Sequence, residues 1–127
     1  MVLVINDDPA LLDVYEDLLT SMGHRPVTKA TVASGSETVR EVNAEALVVD
    51  LQQPDEDEYG IRIIEELRDD AEMIAFPIVL CTGASVFIEP TLRRLEQLNV
   101  PIVFKPFNIT DLENALTTVL REAQTKL

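Results

Sequence analysis

Short apolar runs alternate along the chain with longer stretches in which apolar residues recur every three or four positions. The first run, Val2–Ile5, is rich in β-branched residues and contains no polar side chain, as expected for a strand that is covered on both faces. Comparable runs follow at 26–30, 46–49, 77–81 and 102–104, of which 26–30 is the weakest. The pattern predicts five short strands, each followed by a helix.

Capping residues and helix-stopping residues mark the ends of the predicted helices. Asp8 is placed to cap a first helix that has Pro9 at its first position and Gly23 as a stop. Thr110 and Glu113 form a predicted capping box for the last helix. The other helices are predicted from Ser34 or Ser36 to 42, around 61–67, and from Pro90 to Asn99, a candidate left-handed cap.

Five strand–helix units imply an α/β fold, with a doubly wound parallel sheet, right-handed crossovers and helices on both faces. We expect a single domain over residues 1–127 and no output domain among them, because this length suits one core and no repeat or linker divides the chain. Sheets of this kind bind ligands beyond the carboxyl ends of their strands. Function should therefore be sought in the residues that follow the strands.

The charge balance and the cysteine count narrow the functional classes. A formal net charge of −13, from 23 acidic and 10 basic residues, repels phosphate backbones and anionic lipids, so no direct nucleic-acid or membrane binding is expected. The apolar stretches are far shorter than the ~20 residues of a membrane span. No leader peptide is recognisable, and the single Cys81 cannot form an internal disulfide. We therefore expect a cytoplasmic protein.

Polar residues stand where four of the predicted strands end: Asn6, Asp7 and Asp8 after the first, Asp50 after the third, Thr82 after the fourth and Lys105 after the fifth. Carboxylates gathered near a lysine suggest a hard divalent cation, and Mg²⁺ takes oxygen ligands. A carboxylate can also attack phosphorus while a hydroxyl and an ammonium hold the transferred oxygens. Asp50, Thr82 and Lys105 fit these three roles.

Each of these residues also has a plainer interpretation. Asp8 before Pro9 suits a helix cap, Asp50 alone could start a loop, Thr82 alone could belong to a turn, and Lys105 alone could be a surface cation. Only their combination favours phosphoryl chemistry.

The combination resembles the receiver domains of two-component response regulators, and the resemblance spans essentially the whole chain. Its motifs are residues 4–9, residues 47–51 with Pro54, residues 78–82, and Lys105-Pro106-Phe107. The resemblance implies a flavodoxin-like fold with strand order 2-1-3-4-5. It also implies that Asp50 accepts a phosphoryl group from a histidine kinase or a phosphotransfer protein, that Thr82 and Lys105 bind the phosphoryl oxygens, and that the Lys105-Pro106 peptide is cis.

The resemblance implies a Mg²⁺ site as well, with Asp7, Asp50 and the backbone carbonyl of Gln52 as direct contacts. Asn6 falls where the family commonly has an acid that reaches the metal through water, so weaker Mg²⁺ binding is expected. An alternative register, which pairs Asp7 with Asp8, would set Asp8 against its capping role and is less favoured.

Other positions also depart from the family pattern. The glycine that often closes the loop after the phosphoacceptor appears only at Gly60, beyond the acidic run 55–58, so this loop is longer than usual. Ile102 occupies the position of the family's aromatic switch residue, so signalling from Thr82 must take another route or a changed dimer surface. The Val100-Pro101 approach to the last strand resembles receivers attached to hybrid histidine kinases.

Three other functions compete with a phosphoacceptor, whose only catalysis would be its own phosphorylation and dephosphorylation. A nucleotide-binding module is disfavoured because neither GxGxxG nor GxxxxGK[ST] occurs. An aspartate-nucleophile phosphatase would usually carry its nucleophile after the first strand, and would need a substrate cap. The third is a degenerate receiver that acts as a docking module without phosphorylation. Asn6 and Ile102 favour it, and the retained residues Asp7, Asp50, Thr82 and Lys105 oppose it.

Overall fold

The computed structural model describes residues 1–50, 58–83, 89–105 and 108–125. Strands and helices alternate through these residues in the order β1 (Val2–Ile5), α1 (Pro9–Ser21), β2 (Pro26–Lys29), α2 (Gly35–Val42), β3 (Ala46–Asp50), α3 (Tyr59–Asp69), β4 (Ile78–Gly83), α4 (Glu89–Gln97), β5 (Ile102–Lys105) and α5 (Ile109–Thr125). All strands pair in parallel, in the order β2-β1-β3-β4-β5. The predicted fold class and strand order are confirmed, including β2, the weakest of the predicted strands.

Helices cover both faces of the sheet and give the chain two apolar clusters. Side chains alternate between the faces along a strand, so each fully apolar strand supplies residues to both clusters. The first cluster joins the sheet to α2, α3 and α4, and includes Leu3, Ile5, Leu47, Val49, Ile63, Ile64, Leu80 and Leu95. The second joins it to α1 and α5, and includes Val4, Tyr15, Leu19, Val48, Cys81, Leu112 and Leu116.

Side-chain caps fix the beginnings of α1 and α2. Asp8 Oδ1 accepts a hydrogen bond of 2.9 Å from the Ala10 N–H, which confirms the predicted cap. Of the two serines proposed for α2, Ser34 is the cap, because its Oγ accepts from the Glu37 N–H at 3.2 Å. Ser36 instead lies inside the first turn and is buried.

The predicted capping box of α5 is wrong. The helix begins at Ile109, so Thr110 already lies within its first turn and cannot occupy the capping position. Asn108 takes that position, and its Oδ1 accepts a hydrogen bond of 2.9 Å from the Asp111 N–H. Asn108 and Thr110 are both good capping residues, so the sequence alone did not decide between them.

Candidate functional site at the carboxyl edge of the sheet

The carboxyl ends of β1 and β3 bring Asn6 and Asp50 together. The two strands are neighbours with Ile5 opposite Val49, so the next residue of each strand emerges at the same edge. Asn6 Nδ2 donates a hydrogen bond of 3.1 Å to Asp50 Oδ2. The Asn6 side chain is buried, whereas Asp50 keeps partial access to solvent. Asp50 is therefore positioned by a buried neighbour and remains open to a reactant.

The orientation of the Asn6 amide follows from a second hydrogen bond. Its Oδ1 accepts from the Asp8 N–H at 2.8 Å, and this donor can only face an oxygen. The amide nitrogen is thereby directed at Asp50. The Asp8 side chain is occupied as the cap of α1, where its Oδ1 accepts from the Ala10 N–H, whereas Asp7 is exposed at the same edge. This arrangement supports the register in which Asn6 and Asp7, rather than Asp7 and Asp8, belong to the site.

The register of β4 and β5 determines where Thr82 and Lys105 lie at the carboxyl edge of the sheet. Asp50 lies opposite Cys81 on β4, which places Thr82 one residue further toward the carboxyl edge. Lys105 ends β5 and lies opposite Gly83, the last residue of β4. Thr82 is buried. The Lys105 side chain, the Gln52 carbonyl and the Lys105-Pro106 peptide, which carry three of the predictions, lie outside the described part of the chain.

Tyr15 and Cys81 lie on the α1 side of the sheet below Asp50. Tyr15 is almost completely buried, and burial is the main cause that raises the pKa of its hydroxyl far above the ordinary value. The neighbouring Cys81 and the Asp50 carboxylate raise this pKa further. The sequence indicated Tyr15 only as one position of an apolar helix face. A tyrosine rather than an aliphatic residue on that face was the available signal for a polar atom near Asp50.

Tyr59 anchors the chain immediately after the loop that follows Asp50. Its buried hydroxyl accepts from the Val32 N–H at 2.8 Å and from Thr31 Oγ1 at 3.2 Å, and donates to the Val32 carbonyl at 3.2 Å. The start of α3 is thus tied to the connection between β2 and α2. The sequence analysis missed this residue, because its partners are about 27 positions away in the chain.

Comparison with known proteins decides the family. The sequence matches the family described as "Response regulator receiver domain" over residues 2–117. The chain belongs to the response regulator receiver domain family. The resemblance in the motifs and the predicted fold are thereby confirmed, and the family assignment overrides the nucleotide-binding and phosphatase alternatives. Attachment to a hybrid histidine kinase stays a prediction.

Relatives of this receiver domain are similar along nearly its whole length. The transcriptional regulatory protein AfsQ1 of Streptomyces coelicolor is 30% identical over 96% of this chain and 52% of its own length. A probable transcriptional regulator, ycf27, of Pyropia yezoensis is 27% identical over 96% of this chain and 48% of its own. The chain therefore spans about half the length of the curated relatives it matches.

Solved structures share the fold of this receiver domain. A response regulator receiver domain protein of Clostridium thermocellum superposes with a TM-score of 0.78, at 18% identity, and the match covers 99% of this chain and 98% of that one. The chemotaxis protein CheY4 of Vibrio cholerae gives a TM-score of 0.76 at 18% identity, over 93% of this chain and 96% of its own. At these identities the likeness concerns the fold alone.

Receiver domains are generally signalling modules rather than enzymes. They are typically phosphorylated by a kinase, typically bind Mg²⁺ at the phosphorylation site, and interact with kinases and output domains. In the part of this chain that the structure describes, no helix is both long and apolar enough to cross a membrane. Within the same residues, no group of three or more His, Cys, Asp or Glu side chains is placed to hold a metal ion.

The donor set at the site nevertheless fits a weakly held Mg²⁺. Asp7 and Asp50 offer hard carboxylate oxygens at one sheet edge, and Mg²⁺ commonly uses one or two carboxylates and completes its coordination with water. Asn6 reduces the negative charge of this set and directs N–H groups, which repel a cation, at Asp50. These residues fit Mg²⁺, and the set carries one negative charge fewer than three acids would.

Proposed function

We propose that this chain is a phosphorylation-competent receiver in which Asp50 accepts a phosphoryl group from a histidine kinase or a phosphotransfer protein. The observation that carries the proposal is the position of Asp50. It ends a buried strand, keeps solvent access, and has its Oδ2 oriented by Asn6 at the edge where β1, β4 and β5 also end. A carboxylate held in this way can attack an incoming phosphorus with little loss of freedom.

The reaction that we propose exchanges one bond for another. An Asp50 oxygen forms a bond to phosphorus as the phosphorus–nitrogen bond of the donor's phosphohistidine breaks, and the donor imidazole keeps the electron pair. Thr82, on the strand next to Asp50, would donate its hydroxyl to a phosphoryl oxygen, and Lys105 at the end of β5 would screen the developing charge. The Asn6 amide would keep the attacking carboxylate oriented.

Asp7, Asp50 and the Gln52 carbonyl are the groups that we propose to hold Mg²⁺, with Asn6 acting on the metal only through water. When bound, the cation neutralises charge on the phosphoryl oxygens.

We also propose that the protein is cytoplasmic and that residues 1–127 form a single domain. Both remain predictions.

A docking module that works without phosphorylation is the second candidate, and one observation favours it. The Asn6–Asp50 hydrogen bond gives Asp50 a neutral partner, so no cation is needed to offset repulsion between Asp50 and a second acid at position 6. Such a site could remain folded and bind a partner without any metal. Modification of Asp50 separates this candidate from the first.

The test is intact-mass analysis after incubation with acetyl phosphate and Mg²⁺. Asp50→Asn removes the nucleophile with nearly the same shape, and Asp8→Asn is the matched control, because asparagine caps a helix as well as aspartate does. The proposal expects one added phosphoryl group on the native chain and on Asp8→Asn, and none on Asp50→Asn. Equal labelling of all three proteins would reject the assignment of Asp50, and absence of labelling from all three would support the docking module.

A further inference from the structure

The amino edge of the sheet, opposite the edge that carries Asp50, holds a cavity of about 180 Å³. It lies where α3 and α4 end and where β4 begins. Among the described residues that line it, Arg68 and Glu122 are charged, and the others are apolar or carry neutral amides. Pockets for drug-sized ligands measure about 300–1,000 Å³, so this cavity suits a ligand of only a few heavy atoms.

Arg68 is held at the wall of this cavity by main-chain carbonyl groups. Its Nε donates to the Leu98 carbonyl at 2.8 Å, and its Nη1 donates to the Phe76 carbonyl at 2.9 Å. Its Nη2 donates a longer hydrogen bond of 3.5 Å to the Asn99 carbonyl. A guanidinium carries five N–H donors, so these three bonds leave two donors that no described residue accepts. The guanidinium is therefore fixed in place with donors to spare.

The charge of Arg68 has no carboxylate partner in the part of the chain that the structure describes. Burial lowers the pKa of the guanidinium, and no acid among those residues acts in the opposite direction. Glu122 lines the same cavity, but its carboxylate accepts from Asn99 Nδ2 at 3.5 Å. A partly buried cation with spare donors is completed best by an anion, and a carboxylate matches the planar fork of a guanidinium.

The apolar part of the cavity wall favours a ligand that carries a short hydrocarbon group. Ile74, Phe76 and Pro77 follow α3 in the chain and line the same space as Arg68. Ile74 is 61% exposed, more than any other large apolar residue that the structure describes. An apolar group that covers its side chain removes this surface from water, which favours binding.

We propose that this cavity binds a small organic monocarboxylate. The carboxylate oxygens accept the two remaining N–H donors of Arg68, and the alkyl group packs against Ile74 and Phe76. Glu122 restricts the ligand to one negative charge, because a second charge would lie near this acid in a chain whose net charge is already −13. Binding requires no phosphoryl group on Asp50, so the inference is independent of the proposed function.

The test is a titration of the isotope-labelled full chain with butyrate at constant ionic strength, followed by amide chemical shifts in NMR. Butyramide, a neutral isostere, tests the need for charge, and inorganic phosphate tests whether any small anion suffices. Arg68→Lys keeps the cation but removes the planar fork. Ile74→Asp is the second variant, because it places a negative charge beside the cavity at an exposed residue and leaves the helix ends tied by Arg68. Val14→Asp, at an exposed position on α1, is the matched control.

Butyrate should shift the amide signals of residues around the cavity, among them Ile74 and Asn99, along one saturable curve. Butyramide and phosphate should give no saturable shift there. Arg68→Lys and Ile74→Asp should each weaken butyrate binding about tenfold, whereas Val14→Asp should bind butyrate as the native chain does. If Arg68→Lys unfolds the domain, Ile74→Asp decides the question alone. Absence of a saturable butyrate shift, saturation by butyramide or phosphate as well, or unchanged affinity in Ile74→Asp would overturn the inference.

Discussion

Asn6 donates a hydrogen bond of 3.1 Å to Asp50, across the ends of two adjacent strands. In the family this position commonly carries an acid, and two carboxylates at this separation would repel one another unless a cation lay between them. The amide replaces that repulsion with an attraction. Asp50 therefore has a neutral partner in place of a like charge, and the site offers Mg²⁺ one negative charge fewer.

Asn6→Asp is expected to lower the free energy of unfolding and to raise the affinity for Mg²⁺. In the absence of Mg²⁺ the variant should lose about 1–3 kcal/mol of unfolding free energy, because it loses a hydrogen bond and gains a like charge beside Asp50. Its Mg²⁺ affinity should rise about tenfold, the size of effect typical of groups that support metal ligands. Thermal unfolding over a series of Mg²⁺ concentrations measures both quantities. Gln97→Glu, which adds one negative charge at an exposed residue at the end of α4, is the control. Unchanged Mg²⁺ affinity in Asn6→Asp would contradict the site.

Tyr59→Phe should destabilise the domain by about 1–3 kcal/mol, since it leaves the Val32 N–H without its acceptor. Urea unfolding followed by circular dichroism gives the difference. Thr28→Val removes another side-chain hydrogen bond, from Thr28 Oγ1 to Glu16, at an exposed position. That control should change stability by no more than about 0.5 kcal/mol. Equal effects of the two substitutions would show that Tyr59 does not anchor the start of α3.

Gly35→Ala should cost about 1–3 kcal/mol, although alanine is normally the better helix former. A Cβ atom at Gly35 would lie 2.7 Å from Cγ2 of Ile63, which is completely buried. Ile63→Leu removes this methyl branch, so the double variant should be more stable than the sum of the two single changes predicts. Strict additivity in urea unfolding would mean that the close approach of α2 and α3 is not the cause.

Glu66 should make stability depend on pH. Burial raises the pKa of this carboxyl, but hydrogen bonds from Ser34 Oγ and from the Gly35 and Ser36 N–H groups outweigh it and hold the pKa below the ordinary value. A pKa that is lower in the folded state contributes stability above the unfolded-state pKa, and this contribution is lost as the pH falls through the folded-state pKa.

Glu66→Gln should therefore be less stable than the native chain at pH 7, and the difference should shrink as the solution is acidified through about pH 4. Unfolding free energies measured at several pH values test this expectation. Glu72→Gln, at a residue whose side chain is 79% exposed, is the matched control and should follow the native pH dependence closely. A constant difference between Glu66→Gln and the native chain across this range would contradict the role assigned to the carboxylate.

The sequence predicted the central strands β1, β3 and β4 well because they are largely apolar. A run such as Val2–Ile5 has no polar side chain to place in water, so it must lie between helices, and the helices follow from the spacing of their apolar residues. The sequence predicted less about helix ends. Asn108 caps α5 in place of Thr110, because both are good capping residues and the local motif does not decide between them.

The sequence identified residues of the candidate site, but it did not predict the contacts between them. Asn6 and Asp50 were both identified from the strand ends, yet their hydrogen bond depends on the register of β1 with β3, which no local pattern contains. Tyr15 and Tyr59 contribute hydroxyl groups whose partners lie on other elements. Such contacts are created by tertiary packing, so a single sequence offers only the residue type as a signal.

The central claim is that Asp50 is the phosphoacceptor, and chemical trapping tests it most directly. Borohydride reduces an aspartyl phosphate to homoserine, which marks the modified residue in a peptide digest. After incubation with acetyl phosphate and Mg²⁺, the account predicts homoserine at position 50, absent without either reagent, and none at Asp7 or Asp8. Homoserine at another position, or none anywhere under conditions that label a known receiver domain, would contradict the claim.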